Sequence, residues 1–471
     1  MSVWLLAIGL PWLGALGLSV VRLPRRTRMM ANVTFSLVGF ALTLVVWGLS
    51  QVDGLAALFG ALSGFVGVMA AFSAIGLAPV EEDGRSTRRD GLHDALFQAM
   101  LGFSLLGLYT GNIGLIWLAL TGETMATAWG LSLPRMPAAL KEAWDYLLLS
   151  SIAMGLALFG TLLVYLAAQP VLGGGLASMD FTALSAHAAD LNQAWFSLGF
   201  VLIVFGYGGK AMLVKLSGRG TTAIAGPTIL LSGLSTNVAL LAILRFRHLS
   251  QGAANGPLAA DILLAFALLA LFLAAFMLVR QADIKRFLGG MEVQHAAISL
   301  FAFGLGGPLA IFGGLLHRLL YTLLTSGLFL ALAQVMNKHR AAFSVARFRD
   351  LPGARQQAGW VLGGALFAFS GLPPSGLFAS EFIIIRQTIL HDPWICLPLS
   401  IGLGVCAGPT LRRAGEILSA PVSGSKLQKG GRMVGLAVVP LVLMLVLMLV
   451  LAFAMPEPCL HIMAEAARNL Q

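Results

Sequence analysis

Five ionisable side chains stand inside long apolar runs of this chain: Glu123, Lys210, His295, His317 and Glu381. An unpaired charge at bilayer depth costs at least about 2.5 kcal/mol, so each must be neutralised, paired or wetted. Glu123 and Lys210 are candidates to meet. An acid and an amine in contact shift each other's titration, which makes them a movable proton site; the alternative is a static ion pair that fixes a helix contact. His295 and His317 fall on consecutive apolar runs. Imidazole titrates near neutral pH, so a row of histidine and glutamate facing water inside a helix bundle can pass protons from site to site. Taken singly, each histidine also reads as a buried hydrogen-bonding group.

Two of these residues lie beside interruptions. The run 359–385 contains Ser370-Gly371-Leu372-Pro373-Pro374-Ser375-Gly376, with Glu381 shortly after it. Proline removes amide donors and clashes with the preceding turn, so the run should split into two half-helices and leave bare backbone groups at depth. Such backbone persists only when buried in protein or lining a wet cavity. The other reading is a kinked helix whose glutamate caps a neighbour. Upstream, Gly206, Gly208 and Gly209 precede Lys210 and suggest a second break. Paired interruptions in two halves of a membrane protein point to a repeat-built transporter with its sites at the breaks, so the structural glycines and Pro373 and Pro374 are counted with the site.

The elements that must hold these groups are membrane helices. Of 471 residues, 58% are hydrophobic and 11% charged, with mean hydropathy +0.88, which excludes a soluble enzyme or a nucleic-acid binder and requires a polytopic membrane protein. Runs long enough to cross a bilayer begin near residues 3, 30, 56, 95, 112, 146, 195, 226, 258, 291, 307, 358, 393 and 433, giving an all-α integral membrane fold of about fourteen spans. Most of the 30 lysines and arginines fall in alternate loops, so the net charge of +10 marks orientation and places both termini on the outer side. The first run has no basic leader and reads as a retained helix. Cys396, Cys406 and Cys459 show no metal-ligand spacing.

Several motifs together resemble the antiporter-like subunits of the complex I superfamily: Gly122-Glu123, Gly206-Tyr207-Gly208-Gly209-Lys210, the run from Leu231-Ser232-Gly233 to Leu244-Arg245-Phe246, Asp283-Ile284-Lys285-Arg286, and Ser370-Gly371-Leu372-Pro373-Pro374 with Ser380-Glu381-Phe382. Gln294-His295, Gly304-Leu305-Gly306-Gly307-Pro308 and Leu315-Leu316-His317 are most similar to the hydrogenase-4 component F type, beside subunits M and N of NADH-quinone oxidoreductase. The resemblance implies helices 1–3 over 1–94, inverted five-helix repeats over 95–247 and 256–410 with broken helices 7 and 12, and a C-terminal part over 411–471. It implies a proton path through Glu123, Lys210 and Glu381, no redox cofactor of the subunit's own, membrane partner subunits with a peripheral redox arm, and a bacterial inner membrane. Cation/proton antiport and inorganic-carbon uptake occur on the same fold, and a scaffold role is the remaining alternative.

Two departures from the family pattern bear on function. The family's Pro-x-His-x-Trp-Leu-Pro stretch after the helix-7 lysine is replaced by Leu213-Val214-Lys215-Leu216-Ser217, and its Asn-His and later lysine by Leu320-Tyr321 and Thr325. A cation is thus missing midway. Either Arg318, His317 and water span that gap, or the subunit no longer pumps fully.

The orientation is directly testable. A cysteine placed at Ser86, in an inner loop, should resist an impermeant thiol reagent added to intact cells; rapid labelling from outside would invert the topology.

Overall fold

The computed structural model of the chain describes residues 2–77, 88–133, 135–212, 227–253, 256–281, 283–338, 357–419 and 435–470. Among these the chain is helical throughout. The helices are α1 (Val3–Val20), α2 (Arg25–Gly48), α3 (Gly54–Leu77), α4 (Arg88–Tyr109), α5 (Ile113–Ser132), α6 (Pro137–Leu172), a short α7 (Phe181–Ala186) between two 3-10 turns, α8 (Gln193–Ala211), α9 (Pro227–Gly252), α10 (Gly256–Arg280), α11 (Ile284–Leu305), α12 (Pro308–Lys338), α13 (Gln357–Phe369), α14 (Gly376–His391), α15 (Pro393–Leu418), α16 (Gly435–Phe453) and α17 (Glu457–Asn469). Each expected span coincides with a helix, or with the pair α13 and α14. Nine of the described helices are long and apolar enough to cross a membrane by themselves, or ten if α16 and α17, bent by 64°, count as one span.

α9 packs against α3, α4, α5, α8, α10, α11 and α12, so its polar residues meet protein on most sides. The outer helices carry the opposite pattern. α15 exposes Trp394, Leu397, Ile401 and Val405, and α6 exposes Trp144, Ile152 and Phe159, side chains suited to lipid or to apolar neighbours.

The break after Phe369 is present, and serines satisfy the backbone it bares. Ser370 Oγ donates to Phe367 O (2.6 Å), Ser375 Oγ donates to Ala368 O (2.6 Å), and Ser375 Oγ accepts from Leu377 N (3.2 Å) as the N-cap of α14. Gly371 turns the chain at φ +69°, a left-handed conformation open to glycine.

The expected break at Gly206, Gly208 and Gly209 is corrected. All three lie inside continuous helix α8, which ends only at Ala211, beyond Lys210, and residues 213–226 lie outside the described set, as do Ser86 and the Lys285 side chain. The reason is close packing. A Cβ at Gly206 would fall on the backbone of Ala157 in α6, and one at Gly208 would lie 2.7 Å from Phe266 of α10. Small residues here let helices approach to backbone contact instead of breaking one of them.

Two basic residues that the loop pattern places on the outer side also find structural work. Arg245 donates to the carbonyls of Thr110 (3.1 Å) and Leu108 (3.2 Å), at the C-terminal end of α4, and lies 3.7 Å from Asp53. Arg247 reaches the carbonyl of Leu470, just past α17 (3.5 Å). The amphipathic α17, which packs on α3 and α12, had no counterpart among the expected spans.

Gly206→Val should therefore destabilise the α6–α8 contact by roughly 1–3 kcal/mol, the usual cost of overpacking. Gly155→Ala on α6, where a Cβ meets nothing within 4 Å, is the control and should leave the melting temperature of the detergent-purified protein unchanged.

Candidate functional site

The first polar centre is built from α5, α6 and α8. Lys210, almost fully buried, donates from Nζ to Thr124 Oγ1 (2.6 Å) and Tyr146 Oη (2.8 Å), and its ammonium lies 5.0 Å from the centre of the Tyr146 ring. Glu123 is the neighbour of Thr124 on α5 and is also buried. The expected pairing of Glu123 with Lys210 is thus corrected in detail: the hydrogen bonds of the ammonium go to two hydroxyls, not to the carboxylate. Lysine has three rotatable donors on a flexible stem, and hydroxyls can both accept from it and donate onward. Neither Thr124 nor Tyr146 stood out in the sequence, because threonine and tyrosine are common inside membrane helices.

The second centre is built from α11, α12 and α14 beside the break. His295 Nδ1 lies 3.0 Å from His317 Nε2, and His317 Nδ1 lies 2.9 Å from Ser380 Oγ, which itself donates to Leu377 O (2.8 Å). The rings of His295 and Tyr321 are 4.5 Å apart, and Phe369, the last residue of α13, closes over His295 at 5.7 Å. Glu381 follows Ser380 directly, and its carboxylate lies against Gly371. Ligand atoms of His295, His317 and Glu381 all lie within 4.8 Å of one another. Three residues identified separately from sequence are one cluster.

Arg318 joins the second centre to α9. Its Nε donates to Asn237 Oδ1 of α9 and its Nη2 to Gly233 O (3.1 Å), while Thr322 Oγ1 donates to the same Asn237 oxygen (3.1 Å). The guanidinium lies 5.1 Å from the centre of the Tyr321 ring, with Glu292 of α11 within electrostatic reach. Arginine keeps its proton in proteins, so Arg318 is a fixed positive charge. Tyr321, one of the departures from the family pattern, connects it by ring contacts to His295. Asn237 lay in a quoted motif but carried no weight there; its central place on α9 is what the sequence did not reveal.

Comparison with known proteins bears on this arrangement. Residues 111–406 match the family described as NADH:quinone oxidoreductase/Mrp antiporter, TM. A hydrogenase-4 component F homolog of Methylacidiphilum infernorum is 34% identical over 420 residues, covering 86% of this chain and 88% of that protein. The chain belongs to this antiporter family. NADH-quinone oxidoreductase subunit N of Ruthia magnifica is a more distant relative of this antiporter-like protein, 25% identical over 301 residues that cover 61% of this chain and 58% of that one. The fold of the family member is that of a chain in an archaeal membrane-bound sulfane sulfur reductase (TM-score 0.83, 19% identity, 99% of this chain and 97% of that one) and of a chain in the Mrp complex from Dietzia (TM-score 0.80, 16% identity, 99% and 97%).

Asn237→Ala removes the acceptor shared by Arg318 and Thr322 and leaves a buried guanidinium short of a partner. The expected loss is roughly 1.5–3 kcal/mol, the range for a hydrogen bond to a charged group, read as a lowered unfolding temperature. Asn237→Asp keeps the acceptor and should be the milder change.

Proposed function

We propose that this protein is a proton-translocating membrane subunit of a hydrogenase-like or NADH-dehydrogenase-like respiratory complex of the bacterial inner membrane, with both termini outside. The observation that carries the reading is the hydrogen-bonded row His295–His317–Ser380 ending beside Glu381. In it each imidazole can hold a proton on one nitrogen and accept on the other, and the serine hydroxyl can accept and donate in turn. A proton entering at Glu381 can thus be exchanged with the histidine pair. Arg318 makes the coupling electrostatic: a fixed charge bound to α9 of one half and adjacent to His317 of the other favours a negative carboxylate nearby and disfavours a second positive charge.

Two inverted repeats over 95–247 and 256–410 belong to the same proposal. In the first, α4 touches α5, α5 touches α6, α6 touches α8, and α8 and α4 touch α9; in the second, α10 touches α11, α11 touches α12, α12 touches α14, and α14 and α10 touch α15. Tyr146 and His317 sit equally far from the prolines that open α6 and α12, Pro137 and Pro308. On this mapping Glu123 and Thr124 correspond to the His295 region, Tyr146 to His317, and the Lys210 end of α8 to the region of Glu381. The partners are membrane subunits and a peripheral redox arm, as the hydrogenase-type relative suggests.

Glu381→Gln keeps shape and most hydrogen bonds while removing the titratable proton. In the assembled complex it should depress proton translocation in membrane vesicles by about a hundred-fold or more, the scale of losing a proton-transfer group, and Glu381→Asp should be milder. Pumping at the parental rate in Glu381→Gln would assign the carboxylate a capping role and favour the scaffold reading.

A further inference from the structure

We propose that His295, His317 and Glu381 form a binding site for a borderline divalent cation of the zinc type, in which the metal ties α11, α12 and α14 together and stops movement at the break. The inference goes beyond the proton path: it concerns a ligand for which these residues have the right atoms and spacing, whether or not protons pass there. Two imidazole nitrogens and a carboxylate oxygen are the donor set of three-ligand zinc sites, which leave a fourth position for water. With bonds of about 2.0–2.2 Å, tetrahedral ligand atoms stand roughly 3.3 Å apart. The facing nitrogens of His295 and His317 are 3.0 Å apart, and the three ligand atoms lie within 4.8 Å of one another, so small side-chain rotations close the cage.

Two further observations point to a ligand. Glu381 Oε1 is buried and accepts no hydrogen bond among the described residues, so a donor or a cation is needed there. The outer support is also in place. For Nε2 of His317 to bind metal, its proton must sit on Nδ1, and Nδ1 already faces Ser380 Oγ at 2.9 Å; that hydroxyl spends its own proton on Leu377 O and is free to accept. This second-layer contact sets tautomer and ring orientation as in known metal sites. The turn Leu372-Pro373-Pro374 at the break is exposed.

The test is equilibrium binding of Zn2+ to the purified, chelator-treated complex, with no turnover required. One tight zinc per subunit is expected, with an X-ray absorption spectrum showing two imidazole nitrogens and oxygen in the first shell. His295→Gln and His317→Gln should each weaken that site by more than the roughly 10–100-fold attributed to outer-layer partners, and Ser380→Ala by about ten-fold. Unchanged affinity in both histidine variants, or a parental spectrum lacking imidazole, overturns the proposal. The spectrum needs no variant, so misfolding of a mutant does not blunt the test. A complex that binds zinc here but never pumps refutes only the proton path, and one that pumps but binds no zinc refutes only the metal site.

Discussion

Everything in this fold depends on enclosing charge and broken backbone where lipid would leave them unsatisfied. The bare carbonyls at Phe367 and Ala368, the Arg318 guanidinium and the Lys210 ammonium all lie at positions that hydrocarbon cannot solvate. Each is answered by a named group: Ser370, Ser375, Asn237, and the pair Thr124 and Tyr146. Those answers come from neighbouring helices in most cases. The polar helices α9 and α11 must therefore stay central, and apolar helices such as α1, α2, α6 and α15 must surround them. Glycines inside α8 serve the same end by letting α6 close on it.

The two halves meet the same constraint with different chemistry. Around Lys210 the hydrogen bonds of the ammonium are spread over two hydroxyls. Around Glu381 two aromatic bases and a hydroxyl face an acid, which suits a proton that can rest on either imidazole or on the carboxylate. Arg318 cannot join either exchange because it does not give up its proton. Its bonds to Asn237 and Gly233 instead tie α12 to α9, one turn before Tyr321 and two turns before Thr325, which stand where the family pattern has residues able to titrate.

Much of the cluster could be read from sequence because membrane burial makes ionisable residues conspicuous. Glu123, Lys210, His295, His317 and Glu381 stand out against apolar runs, and Pro373-Pro374 marks the interruption, as a break or a kink. What escaped was the neutral polar layer. Tyr146, Thr124, Asn237 and Ser380 have side chains that membrane helices use for many purposes, and only three-dimensional proximity distinguishes a partner from a back-bonded hydroxyl. The glycines of α8 misled for a related reason. Glycine permits both a break and a close contact, and a single proline is tolerated inside α15 at Pro398 and Pro409, whereas the paired Pro373-Pro374 flanked by Gly371 and Gly376 does break the run. α17 was missed because an amphipathic helix lying beyond the last apolar run leaves no trace in a count of spans.

The broken α13–α14 and the unbroken end of α8 differ in how freely they can move. At α13–α14 the turn is held by serine hydroxyls and the left-handed Gly371, and the Glu381 carboxylate lies directly on that glycine. A change in the charge or position of Glu381 therefore acts on backbone that is not locked in a helical ladder. Lys210, by contrast, sits in the last turn of an intact helix whose preceding residues are wedged against Ala157 and Phe266. Movement is cheaper at the Glu381 end. A shift of α14 can reach α9 through α11, which packs on both, and through α12, which carries His317, facing Ser380 of α14, and Arg318, bonded to Asn237 of α9, one peptide step apart.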